Sequence, residues 1–314
     1  MAGTVKPRRI GPGSNIAIIA PAGPPRADRL RKGLEFLRKR GYKLRIYPQV
    51  RRKLGYLAGD DKARASALME AFSDESIDGI FAAKGGYGCL RLLPHIDYKV
   101  IENKPKVFVG YSDLTALLLS IYNKCGIVTF HGPMAAVEFG RRLREYTVDH
   151  FFGAIEGSLL PATIKKPTGY KFEVINDGVA EGIIMGGNLS LMARMAGTGY
   201  LPSFKGRIIF LEDTEEEPYR LDAYLAQLFM STDIKDAAGF ILGEFTRTEP
   251  RYGHVKGWSA AQVLNDYFSR LHRPALTGFP CGHGKEKITI PIGVRVMLDA
   301  DKKTVTFLES GVEK

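Results

Sequence analysis

Val107-Phe108-Val109-Gly110-Tyr111-Ser112-Asp113 is a buried-type apolar run that turns, within two residues, into the start of a helical pattern. The first half of the chain repeats this unit. Upstream, residues 79–83 form an apolar run that ends in Lys84-Gly85-Gly86-Tyr87-Gly88, and residues 15–20 another that ends in Pro21-Ala22-Gly23-Pro24-Pro25. Residues 43–47 and 127–130 add two more, the latter ending in His131-Gly132-Pro133. Between them, 27–40, 61–72, 89–93 and 113–122 carry apolar residues at helical spacing. Strand–helix alternation of this kind predicts a parallel sheet covered by helices on both faces. In such sheets ligands bind beyond the carboxyl ends of the strands, so the turns just quoted are where chemistry is expected.

A helical stretch near 147–155 ends the first half, and residues 157–169, with Pro161 and Pro167, lack periodicity. This divides the chain into a domain over 1–157, a linker over 158–171 and a second domain over 172–314. The second half mixes strand patterns (172–175, 180–184, 207–211, 239–242, 288–292, 304–308) with helical ones (189–196, 221–229, 260–271). It suggests a smaller α+β or barrel-like domain, with a sheet order that pattern alone does not give.

The chain has 314 residues, 45% hydrophobic and 25% charged, an ordinary globular balance. No apolar run approaches the ~18 residues that would span a membrane, and 16–20 is shorter than the ~7–15 residues of a signal-peptide core. A cytoplasmic protein with no membrane partner is the expectation. Three scattered cysteines and six histidines form neither a CxxC pair nor HExxH, so no metal and no cofactor is expected. The net charge of +11 is lopsided: residues 1–157 hold 26 Lys and Arg against 15 Asp and Glu, and residues 158–314 hold 19 of each. Twelve of the cations lie between Arg26 and Lys53. They flank the apolar stripe Leu30, Leu34, Leu37, which makes a solvated helix face the simplest reading. Steering of a small anionic substrate is a second reading, and nucleic-acid binding is not expected.

Four places carry candidate chemistry. Ser112, at a strand-to-helix turn, has the layout of a nucleophile elbow, with helix-start amides such as that of Asp113 aimed where an oxyanion would form. The same residues also suit a plain helix cap. The loop 84–88 has three glycines that let backbone amides, Gly86 among them, approach a ligand, or simply allow a tight turn. Glu212 ends the strand pattern 207–211, where partial burial is expected, ahead of an acidic helix start. His283 stands between two glycines in a loop, free to reach a site.

Taken in order, these blocks resemble the LD-carboxypeptidase family, the muramoyl-tetrapeptide carboxypeptidases. The resemblance rests on Ile18-Ile19-Ala20-Pro21-Ala22-Gly23, Gly59-Asp60-Asp61, Lys84-Gly85-Gly86-Tyr87-Gly88, Gly110-Tyr111-Ser112-Asp113 and His131-Gly132-Pro133. In the second half it continues through Gly186-Gly187-Asn188-Leu189, Leu211-Glu212-Asp213, Pro218-Tyr219-Arg220, Gly282-His283 and Ile288-Thr289-Ile290-Pro291-Ile292-Gly293. It implies a Rossmann-like first domain, a barrel-like second and a homodimer. It also implies a serine peptidase in which Ser112 is the nucleophile, His283 the general base and Glu212 the residue that orients it. The amides of Gly86 and Asp113 would hold the oxyanion, with Lys84, Gly85, Tyr87, Gly187 and Asn188 at the substrate. The implied substrate is a murein tetrapeptide or related muropeptide, cleaved before its terminal D-alanine in cell-wall recycling. Alternatives are a microcin C immunity-type peptidase acting on nucleotide conjugates and a non-catalytic muropeptide-binding protein. Lys84 departs from the arginine usual in the family, and the two cations differ in bidentate carboxylate recognition.

Overall fold

The computed structural model describes residues 3–141, 143–250 and 257–314. The chain divides into two compact units: Met1–Leu160 with Ile288–Gly293 and Ser310–Lys314, and Pro161–Lys287 with Val294–Glu309.

In the first unit, β1 (Asn15–Ile19), α1 (Ala27–Lys39), β2 (Lys43–Ile46), α2 (Asp61–Ser73), β3 (Gly79–Ala82), α3 (Tyr98–Asn103), β4 (Val107–Gly110), α4 (Thr115–Cys125), β5 (Thr129–His131) and α5 (Glu145–Glu156) alternate as strand and helix. The helix expected at 89–93 is a 3-10 turn over Leu90–His95, with Pro94 inside it, and α3 follows where none was expected. The five strands run parallel in the order β5-β4-β3-β1-β2. Every residue of β3, β4 and β5 is buried, which is why β3 and β4 are continuously apolar rather than alternating; β5 buries Thr129 and His131 beside Phe130. β2 is the free edge, and Lys43 and Arg45 stand exposed on it, charges that discourage pairing with another chain. The order reverses between β1 and β3, so the loops leaving those two strands flank the switch point where such sheets bind ligands. Phe36, Phe139, Phe151 and Phe152 form one ring cluster, with Phe139 4.8 Å from Phe151, which seats α5 against α1. Each such ring pair adds about 0.5–1.5 kcal/mol beyond its buried area.

The second unit contains β6 (Ala162–Thr163), β7 (Glu173–Asn176), β8 (Val179–Asn188), α6 (Leu189–Met195), β9 (Ile208–Thr214), α7 (Pro218–Ser231), β10 (Gly239–Thr246), α8 (Ala260–Ser269), β11 (Ala275–Gly282), β13 (Arg295–Asp299) and β14 (Thr304–Phe307). Its eight strands lie in the order β6-β14-β13-β8-β9-β10-β11-β7, parallel from β8 to β11 and antiparallel outside them. The sheet curls into a half-barrel. Phe268 of α8 packs on Phe240 of β10 at 4.8 Å, and Tyr267 lies 5.1 Å from Phe229 of α7.

Three segments differ from the sequence reading. Ile290–Ile292 (β12), read as part of the second domain, pairs antiparallel with β5 and closes the first sheet, Ile290 opposite His131. Its residues are wholly buried, and an all-apolar run does not say which sheet it joins. The tail returns to the same unit, where Arg9 N–H donates to the Glu313 carbonyl at 2.8 Å and Glu313 N–H to that of Pro7 at 3.0 Å. Within 158–171, read as linker, Ala162–Thr163 pairs with β14. Among the described residues no helix is long and apolar enough to cross a membrane.

Candidate active site

One group of candidate residues forms where β4 meets α4. Ser112 opens a short 3-10 turn ahead of α4 and holds a φ of +64°, in the left-handed region that a non-glycine residue rarely adopts. Such a backbone is the mark of a nucleophile elbow and stores strain at a functional position. The serine is half-buried, while Asp113 behind it is 2% exposed. Ser112 does not cap α4 with its side chain, which removes the plain capping reading.

The loop 84–88 lies against this turn. A Cβ on Gly85 would approach the Ser112 Cβ to 3.1 Å and its Oγ to 3.3 Å, so any side chain there would crowd the serine. Asp113 ties the two together, its carboxylate accepting from the Cys89 N–H at 2.8 Å. Burial raises the Asp113 pKa, against the opposing pull of the backbone donors at Cys89 and Gly88. The loop also accepts a bond from the β1 exit, Gly23 N–H to the Gly85 carbonyl at 3.2 Å. Gly86 and Tyr87 are exposed, and the Tyr87 ring meets that of Tyr56 edge-on at 5.4 Å. Lys84 is half-buried, its Nζ 3.8 Å from where a Gly23 Cβ would stand.

Sequence reasoning missed Arg64, a fully buried cation on α2. It donates to the carbonyls of Pro21 and Gly88, thereby joining the β1 and β3 exits, and pairs with Asp61. The only signal for it was the neighbouring Gly59-Asp60-Asp61 block. Asp60 of that block caps α2 by accepting from Ala63 N–H at 2.7 Å.

A second group of candidate residues lies in the half-barrel. Glu212, in β9, is fully buried, and its Oε2 lies 2.7 Å from Nδ1 of His283, just past the end of β11. Burial pulls the His283 pKa down, but the charge and hydrogen bond of Glu212 outweigh it and leave the imidazole above its ordinary value. Asp213 follows Glu212 and is also buried. Its Oδ1 accepts from Asn188 Nδ2 at 2.9 Å and Thr214 N–H at 2.8 Å, and its Oδ2 from Ser190 N–H at 2.8 Å. Burial, then the adjacent Glu212 charge, pushes Asp213 up to about 7. Asn188, expected at the substrate, has its side chain turned to this network: Oδ1 accepts from Leu191 N–H and Ser190 Oγ, which caps α6. Gly187 lies in β8 beside Leu211 of β9.

The structure thus gathers Ser112, Asp113, Gly85 and Gly86 in one place and Glu212, His283, Asp213 and Asn188 in another. The first set can present a hydroxyl beside backbone amides. The second can hold one imidazole tautomer with a buried carboxylate. Among the described residues no group of three or more His, Cys, Asp or Glu is arranged to hold a metal ion.

Comparison with known proteins matches both halves. Residues 16–132 fit the LD-carboxypeptidase N-terminal domain and residues 181–298 the LD-carboxypeptidase C-terminal domain. A probable murein peptide carboxypeptidase of Bacillus subtilis (strain 168) is 36% identical, over 98% of this chain and 96% of that protein. Among solved structures, the muramoyltetrapeptide carboxypeptidase of Oxalobacter formigenes superposes with a TM-score of 0.81 at 32% identity, over 93% of this chain and 97% of that one. The microcin C7 self-immunity protein MccF superposes with a TM-score of 0.90 at 25% identity, over 98% of this chain and all of that one. With both domain models matched in order along an α/β chain of this architecture, the protein belongs to the LD-carboxypeptidase family and is a serine carboxypeptidase-type hydrolase.

Proposed function

We propose that the enzyme removes the terminal D-alanine from a murein stem tetrapeptide, with Ser112 as nucleophile, His283 as general base and Glu212 as the orienting carboxylate. The observation that carries the reading is the buried 2.7 Å contact between Glu212 and His283 Nδ1. With Nδ1–H donated to the carboxylate, Nε2 is left as the proton acceptor, and Glu212 stabilises the imidazolium that forms. Ser112 Oγ loses its proton to Nε2 and adds to the scissile carbonyl. The oxyanion is held by the amides of Gly86 and Asp113. His283 then returns the proton to the leaving D-alanine nitrogen, and water hydrolyses the acyl-enzyme by the same steps in reverse. Lys84, Gly85, Tyr87 and the Gly187–Asn188 turn are assigned to the substrate, the cation to its free terminal carboxylate. The proposal includes a cytoplasmic homodimer, as the family resemblance implies, and sedimentation velocity on the purified chain tests the dimer.

A second reading has one observation in its favour, the TM-score of 0.90 to MccF, higher than that to the muramoyltetrapeptide carboxypeptidase. It would make the chain a peptidase of aminoacyl nucleotide conjugates. The higher identity to the murein enzymes supports the first. Incubation with the tetrapeptide L-Ala-D-Glu-meso-diaminopimelate-D-Ala and, separately, with an aminoacyl sulfamoyl adenosine decides between them. Release of free D-alanine, absent in Ser112→Ala, is the expected result. Cleavage of the nucleotide conjugate alone would replace the first reading by the second.

A further inference from the structure

Beside the Glu212–His283 pair lies a second carboxylate that the proposed mechanism does not use. Glu244 is on β10, one strand over from Glu212, and in register it faces Gly282, the residue before His283. Both of its oxygens lie 3.2 Å from the Tyr170 hydroxyl, which donates to them. The same hydroxyl accepts from Glu286 N–H at 3.1 Å. Glu286 and Gly284 belong to the loop that carries His283. Gly284 rests on the Glu244 carboxylate so closely that a Cβ there would land on the carboxylate itself. Lys287 donates to the Gly284 carbonyl at 3.1 Å and draws the Glu244 pKa down. Burial is the largest effect on that carboxyl, and with the Glu212 and Glu286 charges it outweighs the Tyr170 hydrogen bond and Lys287 and leaves Glu244 at about 7. Burial also raises the Tyr170 phenol to about 12, so it stays a donor at neutral pH.

Tyr170 comes from the stretch before β7, Glu244 from β10 and Glu286 from the loop after β11. One phenol therefore joins three segments around the histidine. We propose that Tyr170 and Glu244 form a clamp that positions the His283 loop and so keeps the imidazole on Glu212. Neither residue touches the reacting atoms; both are positioning residues. The inference rests on His283 being the general base. A small displacement of a catalytic group costs up to about a hundredfold in rate, so a clamp one contact removed from the chemistry has a measurable effect.

The test uses three variants of the full chain, Tyr170→Phe, Glu244→Ala and Glu244→Gln, each measured for D-alanine release and for the NMR titration of the His283 ring, assigned with His283→Gln. Tyr170→Phe and Glu244→Ala are expected to lower kcat about tenfold, with KM within about twofold. In both, the His283 pKa should fall toward the ordinary imidazole value as the ring leaves Glu212. Glu244→Gln, which keeps an oxygen for the phenol, should retain kcat within about threefold. If Glu244→Ala does not fold, Tyr170→Phe removes the hydroxyl at no cost in volume and carries the test. Unchanged kcat and unchanged titration in Tyr170→Phe overturn the clamp. Reduced kcat with an unmoved His283 titration overturns it too, since the residues would then act on the substrate. A shifted titration with full activity upholds the clamp and removes His283 from the role of base.

Discussion

Ser112 sits at φ +64°, where a side chain costs roughly 1–2 kcal/mol that glycine does not incur. Glycine elsewhere is usually the less stable choice than alanine, by about 0.4–1 kcal/mol, because it leaves the unfolded chain more freedom. At this position the order should invert: Ser112→Gly is expected to unfold at a higher urea concentration than Ser112→Ala, while both lose nearly all turnover. The ordinary order in that pair of melts would mean that the elbow carries no strain. At His283 the same scale of argument sets a pH dependence. The imidazole is raised above its usual pKa of ~6.5, chiefly by Glu212 acting against burial. A base works only when neutral, so kcat/KM should decline as pH falls, with the acid limb centred above pH 6.5. Glu212→Gln should move that limb down and also lower the plateau. Stability runs the other way: a raised histidine pKa favours the folded chain below the unfolded pKa, and the benefit is lost as pH rises through the folded value. A limb centred below 6.5 in the wild type would contradict the assignment of His283 as base.

The strand-end turns were legible as elements because parallel central strands are apolar throughout and end at glycines or prolines. That is how β1, β3 and β4 were found, and with them Ser112 and the loop 84–88. β11 and β13 were not found: Ala275–Gly282 contains Gly278 and Pro280, which read as loop, and Arg295–Asp299 mixes charge with apolar residues. The half-barrel's order was beyond pattern reading because several of its neighbours, such as β8 and β13 or β7 and β11, are distant in sequence. Arg64 shows the same limit at the level of a contact. Nothing in a helical Ala-Arg-Ala announces an arginine with no exposed surface, bound to the carbonyls of two separate strand exits. Without the guanidinium, Asp61 still has Arg91, but the buried carbonyls of Pro21 and Gly88 lose their donor, at about 1–3 kcal/mol. Arg64→Met should destabilise the protein by that order in urea melts read at equilibrium. A loss under about 1 kcal/mol would show that the two exits hold each other without it. In the proposed reading, recognition of the peptide's end belongs to the same loops. If Lys84 takes the terminal carboxylate, the wild type should prefer the free tetrapeptide to its amide, and Lys84→Met should narrow that preference by about tenfold. An unchanged preference would leave Lys84 as a support for the loop.

Charge is the property that only the whole molecule displays. The excess of +11 lies entirely within residues 1–157, while the remainder is balanced. Some of it has local work: Arg26 pairs with Asp28, Lys39 with Glu35 and Arg45 with Asp74, and the cations of β2 blunt a sheet edge. Arg31, Lys32 and Arg38 of α1 and Arg51, Arg52 and Lys53 beyond β2 stand exposed. Exposed cations in such number raise the potential felt by an approaching anion, and a murein stem peptide carries more carboxylates than amines. Screening shortens the reach of that field from ~30 Å at 0.01 M salt to ~8 Å at 0.15 M. If the field steers substrate, kcat/KM for the tetrapeptide should fall severalfold over this range while kcat holds. The fall should be absent for a peptide made neutral by amidation at its D-Glu carboxylate. Arg31→Gln, Lys32→Gln and Arg38→Gln combined should flatten the salt dependence without lowering kcat at high salt. The three lie on α1, outside the assigned catalytic and substrate-binding residues. A salt slope that survives their replacement would leave this stretch of α1 as a solvated helix face, and any steering would then come from cations elsewhere in the first 157 residues.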